Sequence, residues 1–234
     1  MLDKTNVLLI AVALVLAAVL LGPTASAERA VVLPAPSADV MAVLPTPVKD
    51  RETAVFAGGC FWGVQAVFQH TEGVLDALSG YAGGAISQAD YGSVSGGSTG
   101  HAEAVQVTFD PRQISYAQLL QIFFSVAHDP TQLNRQGPDS GTQYRSAIFY
   151  TSPEHKLAAD RYIAQLNSAR VFPDTIVTQL GPLQGFYPAE KYHQNYATLH
   201  PGDGYIARFD LPKIANLQKL MPALYREVPA LVNP

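Results

Sequence analysis

One cysteine, Cys60, has a sequence context that suits a nucleophile. It is the only cysteine in the chain, and it follows Gly58 and Gly59 where an apolar run meets an amphipathic segment. A strand, a glycine turn and a helix beginning at the cysteine would place its sulfur at the positive end of the helix dipole, which favours the thiolate. A lone cysteine can also be an inert buried residue. The glycine pair and the adjacent Phe61 and Trp62 favour the reactive thiol.

A carboxyl group, Glu103, is the second candidate. The segment 101–110 alternates as a half-buried strand, and Glu103 falls on its apolar face with Val105 and Val107. A carboxyl removed from water has a raised pKa, so Glu103 would stay protonated near neutral pH and could donate a proton. The alternative is an ordinary solvated carboxylate at the start of the strand.

Two polar loops could complete a site. The loop at 79–101 is rich in glycine and carries Tyr81 and Tyr91. It lacks the glycine spacing of a phosphate-binding loop and is interpreted as a shaped binding loop, with a flexible surface loop as the alternative. A second loop, 128–146, is dense in turn-forming residues and becomes a strand at Tyr144. The tyrosines would place hydroxyl donors at the edge of a cavity.

Histidine leaves a further possibility open. His193 could act as a base for Cys60 or make a structural hydrogen bond. None of the six histidines has the spacing of a metal-binding pair, so no metal is expected. A cysteine hydrolase that uses Cys60 and His193 therefore remains an alternative function.

The apolar periodicity predicts both strands and helices around these residues. Strands are predicted at 53–58, 102–109, 144–151 and 175–180, and helices at 60–70, 115–127, 153–168, 188–197 and 213–221. The third helix has the clearest start, because Ser152 can cap it and Pro153 suits its first position. Strands separated by helices, together with a long glycine-rich loop, predict an α+β sandwich rather than a regular parallel sheet.

The two ends of the chain differ in composition from the middle. Residues 1–27 combine Lys4, an apolar run and a small-residue cleavage site, which is typical of a signal peptide, although an uncleaved anchor also fits. The proline-rich segment 28–50 predicts an extended linker. Residues 51–221 suit one domain, and 222–234 are left as a C-terminal tail. The protein is therefore expected in the periplasm or cell envelope.

The charge pattern limits the partners. The net charge is −4, with acidic and basic residues interspersed, and no basic run indicates a nucleic-acid or lipid-headgroup site. Nucleic acid is therefore not an expected partner, and a monomer is expected. A single cysteine also excludes an intrachain disulfide. Any disulfide of Cys60 must involve another molecule.

Together these motifs resemble the A-type peptide methionine sulfoxide reductases. The resemblance rests on Gly-Gly-Cys-Phe-Trp-Gly at 58–63, Thr-Gly-His-Ala-Glu-Ala-Val at 99–105, Gly-Thr-Gln-Tyr-Arg-Ser at 141–146 and Tyr-His-Gln-Asn-Tyr at 192–196. It covers residues 53–200, in the family's order. It implies reduction of the S epimer of methionine sulfoxide, free or in protein, on an α+β two-layer sandwich with a ferredoxin-like core and long irregular loops.

The resemblance also implies roles for individual residues. Cys60 would be the nucleophile and Glu103 the proton donor to the sulfoxide oxygen. The remaining roles would be oxygen binding by Tyr91 and Tyr144, organisation of the site by Asp139, and reception of the S-methyl group by Phe61 and Trp62. The product at Cys60 would be a sulfenic acid. No bound cofactor is implied.

One departure from the family affects recycling. Many members carry resolving cysteines in the C-terminal tail, whereas residues 201–234 contain none. The implied reductant is therefore an external thiol: a thioredoxin-like protein, glutaredoxin with glutathione, or a dithiol. The expected function is repair of oxidised methionine in envelope proteins. An inert domain that binds oxidised or Met-rich partners is a third alternative.

Overall fold

A computed structural model describes residues 29–233, so the predicted signal peptide lies outside the described residues. The strands are β1 Glu52–Gly58, β2 Val74–Ala82, β3 Ala102–Phe109, β4 Arg135–Gln136, β5 Asp139–Ser140, β6 Ser146–Tyr150, β7 Gln179–Pro182 and β8 Phe186–Pro188. The α-helices are α1 Ala38–Met41, α2 Phe61–Gln69, α3 Tyr91–Val94, α4 Tyr116–Ile122, α5 Pro153–Ser168, α6 Tyr196–Leu199 and α7 Leu211–Leu220.

Six of these strands form one mixed sheet in the order β7-β6-β1-β3-β2-β8. Neighbouring strands are antiparallel except β6 and β7, which are parallel. The register pairs Phe56 of β1 with Val105 of β3. The end of β1, which leads into Cys60, therefore lies beside the beginning of β3, which carries Glu103.

The two faces of the sheet are covered differently. Phe56, Val107 and Ile148 point to one face, where they form the main core with helices α2, α4 and α5. Val55 and Ala104 point to the other face, where a smaller cluster lies under loops. This alternation along each strand is the period-two pattern of a sheet with two unlike faces. The α+β character predicted from the sequence is therefore present.

The helix predictions at 60–70, 115–127 and 153–168 are confirmed. Ser115 and Gln118 form a reciprocal capping box at the start of α4, which continues as one π-helical segment to Ala127. Helix α5 begins as predicted, with the Ser152 hydroxyl accepting a hydrogen bond from the His155 N–H. The helix predicted at 213–221 is present as α7. It begins earlier than predicted, directly after a π-helical segment at 206–210.

Strand prediction succeeds for β1 and β3 and succeeds in part for β6 and β7. The predicted strand at 144–151 is present as the shorter β6, and the one at 175–180 lies later in the chain, as β7. Strand β2 was not predicted, and its last residues fall in the segment interpreted as a glycine-rich loop. The helix predicted at 188–197 is also wrong. Asn195 adopts a left-handed conformation with φ 57° and interrupts it, which leaves a 3₁₀ turn at Lys191–His193 and the short α6.

Both ends of the described chain pack against the domain. In the predicted linker, Val40 is buried, the Val31 N–H donates to the Ser125 carbonyl, and the Tyr162 hydroxyl donates to the Pro34 carbonyl. In the predicted tail, the Arg226 N–H donates to the His70 carbonyl. Both segments therefore make hydrogen bonds with the domain.

Candidate active site

Cys60 lies between β1 and α2, at the N-cap position of the helix. Gly59 has a φ of +90°, which glycine adopts without steric cost, and a Cβ atom there would lie 2.5 Å from Cγ of Gln136. The sharp turn and the close approach of the β4 chain both require this glycine. They direct the partly exposed thiol out of the sheet and against the first turn of α2.

Glu103 lies directly beside that first turn. Its side chain is only 2% exposed, and Oε2 accepts a hydrogen bond from the Phe61 N–H at 3.0 Å. Burial raises the pKa of Glu103 to about 8, although the Phe61 hydrogen bond opposes this shift; Asp139 and Asp210 raise it further. At neutral pH the carboxyl group is protonated, as predicted from its place on the apolar face of β3.

The prediction that Cys60 is a thiolate in the resting site is corrected by the structure. Burial raises the pKa of Cys60 well above its usual range, and the nearby carboxyl groups of Glu103 and Asp210 raise it further. The hydrogen bond from the Trp62 N–H opposes this shift but does not offset it. Cys60 is therefore a thiol in the resting site, because desolvation outweighs the helix N-terminus.

Three more of the predicted site residues come together with Cys60 and Glu103. Burial raises the pKa of Tyr144, and Glu103, Asp139 and Cys60 add to the shift because they ionise before the phenol does. The pKa of Tyr91 is raised in the same way, first by burial and then by Glu103 and Cys60. Both phenols are therefore protonated and can donate hydrogen bonds. Asp139 is on β5 and accepts a short hydrogen bond from the Tyr205 hydroxyl.

The motif at 141–146 holds the glycine-rich loop in place. The Thr142 hydroxyl donates to the Gly97 carbonyl at 2.6 Å, and the Gln143 side-chain amide donates to the Ser95 carbonyl at 3.0 Å. Arg145 donates to the Gly100 carbonyl from Nη2 and to the His101 carbonyl from Nη1. These contacts support the interpretation of a shaped loop and leave Tyr144 directed at the site.

The aromatic residues after Cys60 have different positions. Trp62 is partly exposed and stacks on Tyr196, with ring centroids 3.9 Å apart. Phe61 is only 1% exposed and packs inside, against Tyr81 and His193. Of the two, Trp62 is the accessible ring, while Phe61 supports it from the core.

His193 is placed as a neighbour of Trp62. Its Nδ1 accepts a hydrogen bond from Trp62 Nε1 at 3.2 Å, and Nε2 has no hydrogen-bond partner among the described residues. Burial lowers the pKa of His193, and its ring lies 4.5 Å from that of Tyr91. The nitrogen of His193 that could accept a proton, Nδ1, is occupied by the Trp62 indole N–H, so the geometry does not support the cysteine hydrolase.

Gln194 and Asn195 link this segment to α2 through buried amides. Gln65 Nε2 donates to Gln194 Oε1 at 2.8 Å, and the Asn195 N–H donates to Gln65 Oε1 at 2.9 Å. Gln69 Nε2 donates to Asn195 Oδ1 at 2.8 Å. The motif at 192–196 is therefore mainly structural and fixes the aromatic wall against the helix that begins at Cys60.

Several residues around the site were missed by the sequence analysis. Glu190 accepts hydrogen bonds from the Tyr81 hydroxyl at 2.9 Å and the Tyr91 N–H at 3.0 Å, which fixes the position of Tyr91. Tyr205, Asp210 and Lys213 approach Cys60 from the C-terminal segment. The only sequence signal for them is a lysine and an aspartate at positions that the apolar pattern of this segment would bury.

Within residues 29–233, no cluster of His, Cys, Asp and Glu could hold a metal ion.

A protonated carboxyl and two phenols around one thiol define a class of site, in which a thiol attacks a substrate whose oxygen is protonated and hydrogen-bonded. Residues 52–222 match the family model described as peptide methionine sulfoxide reductase. The chain belongs to the peptide methionine sulfoxide reductase family, as its motifs predicted, and it is an oxidoreductase.

Curated relatives agree with this assignment. The chain is 59% identical over 181 residues to peptide methionine sulfoxide reductase MsrA 2 of Mesorhizobium japonicum, covering 77% of this chain and 93% of the relative. It is 53% identical over 173 residues to MsrA of Deinococcus radiodurans, covering 74% and 84%.

Solved structures agree as well. Reduced Mxr1 of Saccharomyces cerevisiae has a TM-score of 0.61 and 34% identity, covering 67% of this chain and 88% of that one. Methionine sulfoxide reductase A of Corynebacterium diphtheriae has a TM-score of 0.56 and 32% identity, covering 77% and 91%.

Proposed function

We propose that this chain reduces the S epimer of methionine sulfoxide, with Cys60 as nucleophile and Glu103 as general acid. The observation that carries the proposal is the buried Glu103 carboxyl group, which accepts a hydrogen bond from the first N–H of α2 beside Cys60 and whose pKa burial raises to about 8. A sulfoxide oxygen is a poor leaving group until it is protonated. A carboxyl with a pKa of about 8 keeps its proton at neutral pH and can transfer it during the reaction.

The proton balance needs no further reactant. Glu103 gives its proton to the sulfoxide oxygen as the Cys60 sulfur attacks the sulfoxide sulfur, and the thiol proton returns to the Glu103 carboxylate. The transient sulfur–sulfur bond and the sulfur–oxygen bond of the substrate then break while the oxygen, now a hydroxyl, bonds to the Cys60 sulfur, so that methionine leaves and Cys60 carries a sulfenic acid. Methionine sulfoxide is reduced by two electrons and Cys60 is oxidised by two.

Substrate binding is assigned to the groups around the thiol. Tyr91 and Tyr144 donate hydrogen bonds to the sulfoxide oxygen, and Asp139 organises the site through its bond to Tyr205. Trp62 receives the S-methyl group, supported by Phe61. These roles are supported by the raised pKa values of the two phenols and by the exposure of the Trp62 ring.

Recycling requires a thiol from outside the chain. Cys60 is the only cysteine, so its sulfenic acid forms a mixed disulfide with an external thiol, and a second thiol then releases Cys60. A thioredoxin-like protein, glutaredoxin with glutathione, or a small dithiol can supply both thiols. The substrate is either oxidised protein or free methionine sulfoxide.

One turnover without reductant tests this function. We expect at most one methionine per Cys60, formed from the S epimer only, and a gain of one oxygen on the intact protein that dimedone traps at Cys60. Added small thiols should convert this species to a thiol adduct. Stoichiometric methionine release with no oxygen gain would contradict the sulfenic acid, and release from the R epimer would contradict the stereochemistry.

The site of action is proposed to be the periplasm or cell envelope, where the enzyme repairs oxidised proteins. The support is the leader at 1–27, with its apolar run and small-residue cleavage site. Within residues 29–233, no helix is long and apolar enough to cross a membrane. The mass of the purified protein tests the leader: a chain beginning at Glu28 is expected, and an intact Met1 with membrane retention at high salt would favour an anchor.

We also infer a ferredoxin-like core. Strands β1, β2, β3 and β6, with α2 after β1 and α4 after β3, follow the chain order of two βαβ units. Their spatial order β6-β1-β3-β2 supports this relation. The additional strands β7 and β8 extend the two edges.

A further inference from the structure

A small cavity adjoins Cys60. It is about the size of one water molecule, and its lining consists of Cys60, Gln136, Gly137, Pro138, Asp139, Tyr205, Phe209 and Lys213. Glu103, Tyr91 and Tyr144 do not line it. The cavity therefore shares Cys60 and Asp139 with the predicted site, but not the proposed acid or the two phenols.

A buried amine lines this cavity, with a buried carboxyl group beside it. The side chain of Lys213 is 6% exposed and that of Asp210 is 0% exposed, with Lys213 Nζ 3.6 Å from Asp210 Oδ1. A Cβ atom on Gly63 would lie 2.1 Å from Asp210 Oδ1 and 3.2 Å from Lys213 Nζ. Gly63 is therefore the residue that lets the pair reach the first turn of α2, one turn from Cys60.

This placement is unfavourable for a cation unless negative charge accompanies it. The N-terminus of α2 carries partial positive charge, and a cation there is repelled. Burial raises the pKa of Asp210 to about 6, so it is ionised at pH 7.5, and Asp139 lies at the same cavity. The two carboxyl groups offset the ammonium, and the cavity beside it suits an oxygen that becomes negative during a reaction.

We propose that this cavity receives the oxygen of the Cys60 sulfenic acid, and that Lys213 donates the proton with which this oxygen leaves as water. An external thiolate attacks the Cys60 sulfur, the sulfur–sulfur bond forms, and the sulfur–oxygen bond breaks. The oxygen takes one proton from Lys213 Nζ and, with the hydrogen it already carries, leaves as water. Lys213 then regains a proton from solvent. This inference rests on the proposed sulfenic acid.

In this scheme Asp210 is a positioning residue, and Lys213 serves recycling rather than methionine release. Lys213 is assigned to recycling alone because protonation of the sulfoxide oxygen, in methionine release, is already assigned to Glu103. Hydroxide is a poor leaving group, so a proton donor at this cavity should accelerate recycling by something like the 10²-fold typical of general acid catalysis.

The test measures the two half-reactions separately in Lys213→Met, Lys213→Arg and the matched control Lys219→Met. Lys219 is on the same helix and exposed. Methionine release is followed in one turnover with excess S-sulfoxide and no thiol. The oxidised protein is then freed of substrate and mixed with dithiothreitol, and loss of the added oxygen is timed by quenched intact-mass analysis.

We expect Lys213→Met to slow loss of the oxygen at least about tenfold more than it slows methionine release. Lys213→Arg should recover part of this loss, and Lys219→Met should change neither rate. Equal slowing of both steps in both Lys213 variants would assign a structural role and overturn the proposal, as would an unchanged recycling rate. Absence of the added oxygen in the unsubstituted protein would instead contradict the proposed sulfenic acid.

Discussion

Replacing Cys60 with serine is expected to abolish methionine release. A hydroxyl at neutral pH is a far weaker nucleophile than a sulfur that has lost its proton. The chain contains no other cysteine to substitute for it. By comparison with other enzymes that lose a catalytic nucleophile, the rate should fall by about 10⁴-fold or more. Methionine formed in one turnover from the S-sulfoxide is the quantity to measure.

The Cys60→Ser variant also carries its own control for folding. The side chains are similar in size, and serine is a favoured residue at the N-cap position that Cys60 occupies, so the thermal midpoint should change little. Trp62 is the only tryptophan in the chain, and its fluorescence reports directly on the site. A folded variant that still releases methionine at a few per cent of the normal rate would exclude Cys60 as nucleophile.

Local patterns in the sequence were sufficient for the elements that hold Cys60 and Glu103. The alternation along β3 placed Glu103 on the buried face, and Ser152 with Pro153 gave the first turn of α5. Strand β2 escaped detection because it contains a bulge between Val74 and Asp76 and carries Ser79 and Gly80 near its end. Its burial depends on pairing with β3 and β8, which no local pattern records.

Local sequence patterns could not predict the ionisation state of Cys60 either. The helix N-terminus at Cys60 was visible in the sequence, and it does favour negative charge. The opposing effects are burial and the carboxyl group of Asp210, which arrives from a segment 150 positions further along the chain. Which of the two effects determines the pKa of Cys60 depends on the tertiary structure, and here burial determines it.

The same argument explains the aromatic wall and the missed residues. A motif with a histidine next to the site suggested a base, but the tertiary structure bonds His193 to Trp62. Family resemblance located Tyr91 and Tyr144 without explaining their positions. Glu190 fixes the first, and the chain after Gly141 fixes the second. Both supports lie on segments remote from Cys60 in sequence.

Replacing Glu103 with glutamine should slow methionine release by about 10²–10⁴-fold. The amide has almost the same size and can still donate a hydrogen bond to the sulfoxide oxygen, but it cannot transfer a proton. Rapid-quench measurement of one turnover gives the rate without interference from recycling. Glu154→Gln is the matched control, because Glu154 is exposed in the first turn of α5 and should leave the rate unchanged.

The pH dependence separates proton donation from a merely structural role of Glu103. Its pKa is raised to about 8, so the donating form is present below pH 8 and is lost as the pH rises through that value. Above pH 8 the rate of methionine release should therefore fall, tenfold per pH unit if no other group compensates. Glu103→Gln should lack this decline, because its amide does not titrate in this range. An effect below about fivefold, or a decline that persists in Glu103→Gln, would remove Glu103 from the mechanism.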